Sequence, residues 1–138
     1  MRGLWSNSAA DDYDQPWSAD VSRYEAGTPN LLGALSLSTS IGVLQAAGIG
    51  AIAAHVLALT DQLAGGLLPK GYSLRSVRTN HERSGIVTFH KENADPMEIG
   101  KRLADAGFVT TNRPSGIRVA PHGHNTPEQI DAFLDVLK

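Results

Sequence analysis

Small apolar residues dominate residues 31–68, and their helical spacing predicts two consecutive helices. The first is expected over Pro29–Ala47, with Gly48 as its stop, and the second over Gly50–Leu67. Ser, Thr, Gln, His and Asp residues interrupt the apolar run, so that no unbroken span of bilayer length remains. The pattern therefore predicts helices buried in the protein or at an interface, with no membrane as partner.

The remainder of the chain alternates short β-branched and aromatic runs with two further helices. Strands are expected over Tyr72–Val77, Gly85–His90, Phe108–Thr111 and Ile117–Ala120. An N-cap followed by proline opens a helix at Asp95-Pro96 and again at Thr126-Pro127. The side chains expected to face inward are Ile99, Leu103 and Ala106 in the first helix and Ile130, Phe133, Leu134 and Leu137 in the second.

This order, two leading helices and then ββαββα, predicts an α+β fold. The natural arrangement is a small antiparallel or mixed sheet with helices packed on one face. Residues 1–22, which include Trp5 and Trp17, show no periodicity and are expected to form an irregular N-terminal arm, with the domain proper over residues 23–138.

The amino-acid composition limits the kinds of partner and the cellular compartment that are expected. The 138 residues suit one domain, and a net charge of −2 without a basic cluster argues against nucleic acid. The chain has no cysteine, which excludes disulfides and thiolate metal sites and suits the cytoplasm. The N-terminus lacks an apolar core and soon turns acidic, so no signal peptide is expected.

The octet Arg23–Asn30 concentrates charge, glycine, hydroxyl and proline where the first helix should begin. Thr28 is expected as N-cap and Pro29 as the first helical residue, and Gly27 permits a tight turn. A helix N-terminus reached through glycine can bind an anion, because free N–H groups and the helix dipole both point outward. On local chemistry alone, a simple cap is the favoured reading.

The octet resembles the Arg-aromatic-Glu-x-Gly-Thr-Pro-Asn element of the class V, fold type I, pyridoxal-phosphate enzymes. Residues 116–122 (GIRVAPH) and 125–131 (NTPEQID) resemble the element that closes the C-terminal domain of the same family. The resemblance covers Arg23 to Lys138 and implies the C-terminal small domain of such an enzyme. The large domain, with its cofactor-bearing lysine, would lie upstream of Met1.

Four site residues follow. Arg118 lies between Ile117 and Val119 in a strand and should point to the face opposite those two residues. The strand pattern alone predicts a solvent-facing arginine. The resemblance implies instead that Arg118 binds the substrate α-carboxylate. The resemblance also implies that Gly27 and Thr28 contact the phosphate of pyridoxal 5'-phosphate, in the neighbouring subunit of a homodimer. Asn30 either supports the first helical turn or faces the substrate pocket.

The resemblance further implies that the chain is inactive alone. Pyridoxal-phosphate enzymes need one particular lysine, and none of Lys70, Lys91, Lys101 and Lys138 lies in the family's lysine context. The complete enzyme would act on an amino-acid-like small molecule, with a large domain as partner. Without a cysteine before Arg118, a persulfide-forming cysteine desulfurase is disfavoured.

Two alternatives remain beside this interpretation. A metal site at His122 and His124 is a poor hypothesis, because no third ligand is near in the sequence, and a packing or pocket-lining role is expected for His124. The alternative function is a non-catalytic dimerisation or partner-binding module that uses the Ala- and Gly-rich first helix and the aromatic N-terminal arm.

Overall fold

The computed structural model describes residues 19–24 and 27–137. The chain divides into two compact units, Met1–Leu44 and Gln45–Lys138. The predicted arm with Trp5 and Trp17 lies outside the described residues, apart from a short 3-10 turn at Val21–Tyr24. The domain boundary after residue 22 stays a prediction.

Helix α1 spans Leu31–Ala47, and its N-cap differs from the predicted one. Asn30, not Thr28, caps it: the Asn30 side-chain oxygen accepts a hydrogen bond from the Gly33 N–H at 2.9 Å. Pro29 lies outside the helix for the same reason. Two good capping residues lie two positions apart here, and the amide at Asn30 reaches the third N–H of the helix.

Helix α2 spans Ile49–Leu67 and is separated from α1 by Gly48 alone, with φ of 87°. The expectation that no span of bilayer length remains is wrong: by length and composition alone, the segment Ile49–Lys70 is long and apolar enough to cross a membrane. Its C-terminal half, however, supplies buried Leu59, Leu63 and Leu67 to the hydrophobic core. A core helix meets the same criteria of length and composition, so the buried half accounts for the apolar character of this part of α2.

The rest of the second unit consists of four strands and two helices: β1 (Tyr72–Leu74), β2 (Val87–Lys91), α3 (Pro96–Asp105), β3 (Thr111–Arg113), β4 (Gly116–Val119) and α4 (Pro127–Val136). The strands form an antiparallel sheet in the order β1-β2-β4-β3. The predicted α+β class and the predicted element order are confirmed.

Helices α2, α3 and α4 enclose the core with one face of the sheet. The sheet contributes Val87, Phe89 and Ile117, and edge-to-face aromatic contacts connect the layers. The helix side chains in this cluster are Leu59, Leu63, Leu67, Ile99, Leu103, Ile130, Phe133 and Leu134. The opposite face of the sheet carries polar side chains, because successive residues of a strand alternate between faces.

Two details of the sequence prediction are wrong around the end of α3. Ala106 is exposed, because the helix ends there and Ala106 is its C-cap. The predicted strand Phe108–Thr111 begins only at Thr111. The Phe108 N–H still donates to the Leu103 carbonyl at 2.9 Å, and Gly107 has φ of 88°, so the chain is completing the helix end where pairing was expected.

Candidate functional site

Arg118 lies on the open, helix-free face of the sheet. Its backbone is paired with Thr88 on β2 and with Thr111 on β3, while its neighbours Ile117 and Val119 point toward the core. Residue Arg118 is exposed, and its guanidinium donates a long hydrogen bond to the Thr111 hydroxyl at 3.5 Å. Arg118 is thus held by its strand in an accessible position, as its alternation predicts.

Gly116 opens β4 and holds the β3–β4 hairpin close to β2. Its φ is 138°, and a methyl group there would lie 2.5 Å from the Phe89 carbonyl oxygen. Only glycine fits this backbone position. Two residues, Pro114 and Ser115, complete the turn between β3 and β4, so no long loop lies between these strands.

A β-bulge distorts the strand pairing beside Thr88. The N–H groups of Arg75 and Ser76 both donate to the Thr88 carbonyl, at 2.8 and 3.3 Å. The Ser76 hydroxyl in turn accepts from the Thr88 N–H at 2.7 Å. Bulges of this kind change the direction in which a side chain leaves the strand, and here the affected residue is the exposed Arg75. No local sequence pattern indicates this bulge.

The segment predicted to bind phosphate belongs to the first unit. Gly27 has φ of 137°, and a methyl group there would have no described atom within 4 Å, so backbone conformation and not crowding favours glycine. Thr28 is exposed, and its hydroxyl is free of the predicted capping role because Asn30 fills it. Arg118 belongs to the second unit, so the predicted site residues are distributed over both.

An ion-pair cluster fixes the long connection between β1 and β2. Both carboxylate oxygens of Asp61 on α2 are engaged, one by Arg78 and the other by Arg83 at 2.5 Å. Arg78 also donates to the Ser84 carbonyl and to the hydroxyl of buried Thr60, each at 3.0 Å. No local sequence pattern indicates this cluster, which attaches the connection to α2, one of the helices of the core.

A cleft of about 360 Å³ lies beside the loop that precedes α4. Its lining includes His124, Val109 and Phe133, in agreement with the pocket-lining role expected for His124. The ring of His122 stacks on that of His124, and in the described part of the chain no group of three His, Cys, Asp or Glu residues could hold a metal. The His55 ring fixes the loop through the Asn125 carbonyl at 2.8 Å.

The lysines of the second unit occupy ordinary structural positions. The Lys91 ammonium lies 5.0 Å from the ring centre of Tyr72, Lys70 ends a 3-10 turn, and Lys101 is exposed on α3. Burial raises the pKa of the Tyr72 hydroxyl, and the nearby Arg102 guanidinium partly offsets that shift. Lys138 lies outside the described residues.

The model of the aminotransferase class-V family matches residues 8–133, so this chain belongs to that family. Among curated relatives, a probable cysteine desulfurase of Halalkalibacterium halodurans is 30% identical over 126 residues, and probable cysteine desulfurase 1 of Mycobacterium leprae is 27% identical over 131 residues.

The match covers only part of each relative. It includes 90% of this chain and 28% of the H. halodurans protein, and 84% of this chain and 21% of the M. leprae protein. The solved apo cysteine desulfurase of Thermococcus onnurineus NA1 superposes with a TM-score of 0.77 at 24% identity, over 88% of this chain and 36% of that one. A NifS-like protein gives a TM-score of 0.70 at 20% identity. The fold is shared, and the chain spans about a third or less of these proteins.

Proposed function

We propose that this chain is the C-terminal small domain of a pyridoxal-phosphate-dependent, class V aminotransferase-like enzyme. Arg118 binds the carboxylate of an amino-acid-like substrate, and the domain is inactive alone. The observation that supports this most is the position of Arg118, which is exposed on the helix-free face of a fold shared with much longer enzymes. An Arg–carboxylate pair of two parallel hydrogen bonds both holds and orients a substrate.

The segment at Gly27 fits the phosphate of the cofactor. Thr28 is exposed, and the start of α1 directs N–H groups outward, where the helix dipole favours an anion. Gly27 and Thr28 would hold the phosphate, and Asn30 would order the helix start behind them. When bound, pyridoxal phosphate supplies the electron sink for reactions at the substrate α-carbon. The lysine and the remaining groups for that chemistry would come from a large domain.

The surface of α1 supports a large-domain partner. The helix has no charged residue, and each of its residues is exposed. Two of its four hydroxyls bond to their own helix: Thr39 donates to the Leu35 carbonyl at 3.0 Å and Ser40 to the Ser36 carbonyl at 2.9 Å. A helix that is apolar all round belongs in a protein interior. We propose that the missing portion of the enzyme covers α1, in the cytoplasm and without nucleic acid or membrane as partner.

The names of the relatives suggest cysteine desulfuration, but the proposal leaves the reaction open. A cysteine that carries sulfur would have to come from outside this chain, since its 138 residues contain none. Transamination, elimination and epimerisation are equally compatible with a carboxylate-binding arginine.

The absorbance spectrum of added pyridoxal phosphate tests whether the isolated domain is inactive. The purified chain, mixed with an equimolar amount of pyridoxal phosphate, should show no stable cofactor band above that of the free cofactor. A stoichiometric band that disappears when one of Lys70, Lys91, Lys101 or Lys138 is replaced by Ala would contradict the proposal. Binding of butyrate, a simple monocarboxylate, tests the arginine: nuclear magnetic resonance titration should show a site that Arg118→Ala removes.

The second candidate is a dimerisation module without catalysis, favoured by the same exposed surface of α1. Native mass spectrometry of the chain alone discriminates the two. A stable homodimer that Ile41→Glu converts to monomer would support the module. The enzyme proposal also includes a homodimer, but one of the complete protein, and it expects the isolated chain to be monomeric because α1 needs the large domain as its partner.

A further inference from the structure

The open face of the sheet carries more positive charge than one carboxylate requires. The strands contain no Asp or Glu, and the open face holds Arg118, Arg113 and His90, with Arg75 at the adjoining bulge. Within residues 19–24 and 27–137, none of these three arginines takes part in an ion pair. By contrast, Arg78 and Arg83 share Asp61.

The strand register places these groups in two rows. The first row runs Arg75, Thr88, Arg118, Thr111, since Thr88 lies opposite both Arg118 and the bulge. Strands are about 4.8 Å apart, so the Arg75 and Arg118 backbones are separated by about 10 Å. Two long side chains can converge across that distance on the two ends of one small molecule.

The second row places His90 beside Ser73 and next to Gly116, diagonal to Arg118. The Nδ1 atom of His90 is buried and has no hydrogen-bond partner among the described residues. A buried polar atom without a partner is unfavourable unless something else satisfies it. His90 as a whole is only half-buried, so the accessible part of its ring borders the open face beside Gly116.

From this arrangement we infer that the site accepts a substrate with a second anionic group. Resting on the proposed function, Arg118 binds the α-carboxylate, and Arg75 and His90 bind a carboxylate or phosphate at the other end of the molecule. Arg75 determines substrate specificity, because it binds the second anionic group, which is distant from the carbon that reacts. Arg75 follows the core-packed Leu74, so strand alternation places it on the open face, and the shared carbonyl of Thr88 fixes its backbone there.

The test compares two ligands that differ by one anionic group. Nuclear magnetic resonance titrations of the full chain use glutarate, with two carboxylates, and butyrate, with one. We expect glutarate to bind at least about tenfold more tightly, as a second charge-assisted pair predicts. Arg75→Ala should reduce glutarate affinity to that of butyrate and leave butyrate unchanged, and His90→Ala should weaken glutarate alone. Lys101→Ala, which removes an exposed charge from α3, is the matched control and should change neither.

The outcomes separate this inference from the proposed function. Equal affinities for glutarate and butyrate, or glutarate binding indifferent to Arg75→Ala, would overturn the second subsite while butyrate binding through Arg118 still supports the proposed function. Butyrate binding unaffected by Arg118→Ala would instead count against the proposed function. Because Arg75 is exposed, Arg75→Gln provides a second variant that keeps the fold and a similar side-chain length. A titration with 3-phosphopropionate shows whether carboxylate or phosphate is the preferred distal group.

Discussion

The two leading helices have similar apolar sequences and opposite environments. Helix α2 buries Leu59, Leu63 and Leu67, each at most 1% exposed, whereas α1 has no buried residue and Leu35 is 66% exposed. Both helices are therefore rich in apolar residues, but only in α2 do apolar side chains form a stripe that packs against the sheet. The burial of an apolar helix thus depends on which other elements of the chain cover it.

The polar residues of the two helices differ in the same way. In α2, Asp61 and Gln62 bond to side chains of other elements, Gln62 to Asp131 at 2.6 Å and Asp61 to its two arginines. In α1, Thr39 and Ser40 bond to carbonyls of their own helix. Asp61 and Gln62 of α2 thus fix neighbouring segments, whereas Thr39 and Ser40 of α1 fix only their own helix.

The largest expected difference between the helices concerns leucine. Leu63→Ala should lower the free energy of unfolding by about 3 kcal/mol, because it removes a fully buried side chain and leaves a cavity. Leu35→Ala, the matched change in α1, should alter it by less than about 0.5 kcal/mol. Urea unfolding followed by circular dichroism measures both, and equal losses would show that α1 is buried in solution.

A smaller difference is expected for polar groups. Asp61→Ala leaves two guanidinium groups without their shared carboxylate, and Arg78 has a side chain only 12% exposed. We expect a loss of about 1–2 kcal/mol in the free energy of unfolding, after allowing for solvent screening at half-exposed Asp61.

Two controls accompany that measurement in the same urea series. Ser40→Ala in α1 and Asp135→Ala on the exposed side of α4 should each be nearly neutral. If Asp61→Ala proved as mild as Asp135→Ala, the connection between β1 and β2 would not depend on the ion-pair cluster.

The smallest expected effects on stability concern the N-caps of α4 and α1. Thr126 and Gln129 form a reciprocal capping box at α4, so Thr126→Ala should lower the free energy of unfolding by about 1 kcal/mol. Asn30→Ala removes the cap of exposed α1 and should reduce helix content while leaving the main unfolding transition in place. Far-ultraviolet circular dichroism before and during unfolding distinguishes the two; a shifted main transition for Asn30→Ala would contradict the expectation.

Local chemistry made most of the fold predictable. The caps at Asp95 and Thr126 and the inward residues of α4 are as expected, because each depends on residues within one or two helical turns. The face of Arg118 was predictable because strand alternation requires only its neighbours. The predicted N-cap of α1 was wrong because Thr28 and Asn30 are both good capping residues, and the geometry of the turn decides which of them caps the helix.

What the sequence did not reveal depends on residues distant along the chain. Asp61 lies 17 and 22 positions before its two arginines, and no local pattern connects them. The bulge requires two N–H groups to share the carbonyl of Thr88 on a different strand. Arg75 was therefore a residue of an expected strand, and its relation to Arg118 emerged only from the register.

The ion-pair cluster at Asp61 also has a consequence for molecular recognition. Arg75 lies three positions before Arg78, so the chain that follows the bulge is already fixed on α2 before any ligand arrives. A fixed backbone loses little conformational entropy on binding, and more of the interaction free energy then appears as affinity. Asp61, which faces no ligand in the proposal, would in this way govern how selectively the far side of the sheet distinguishes one small anion from another.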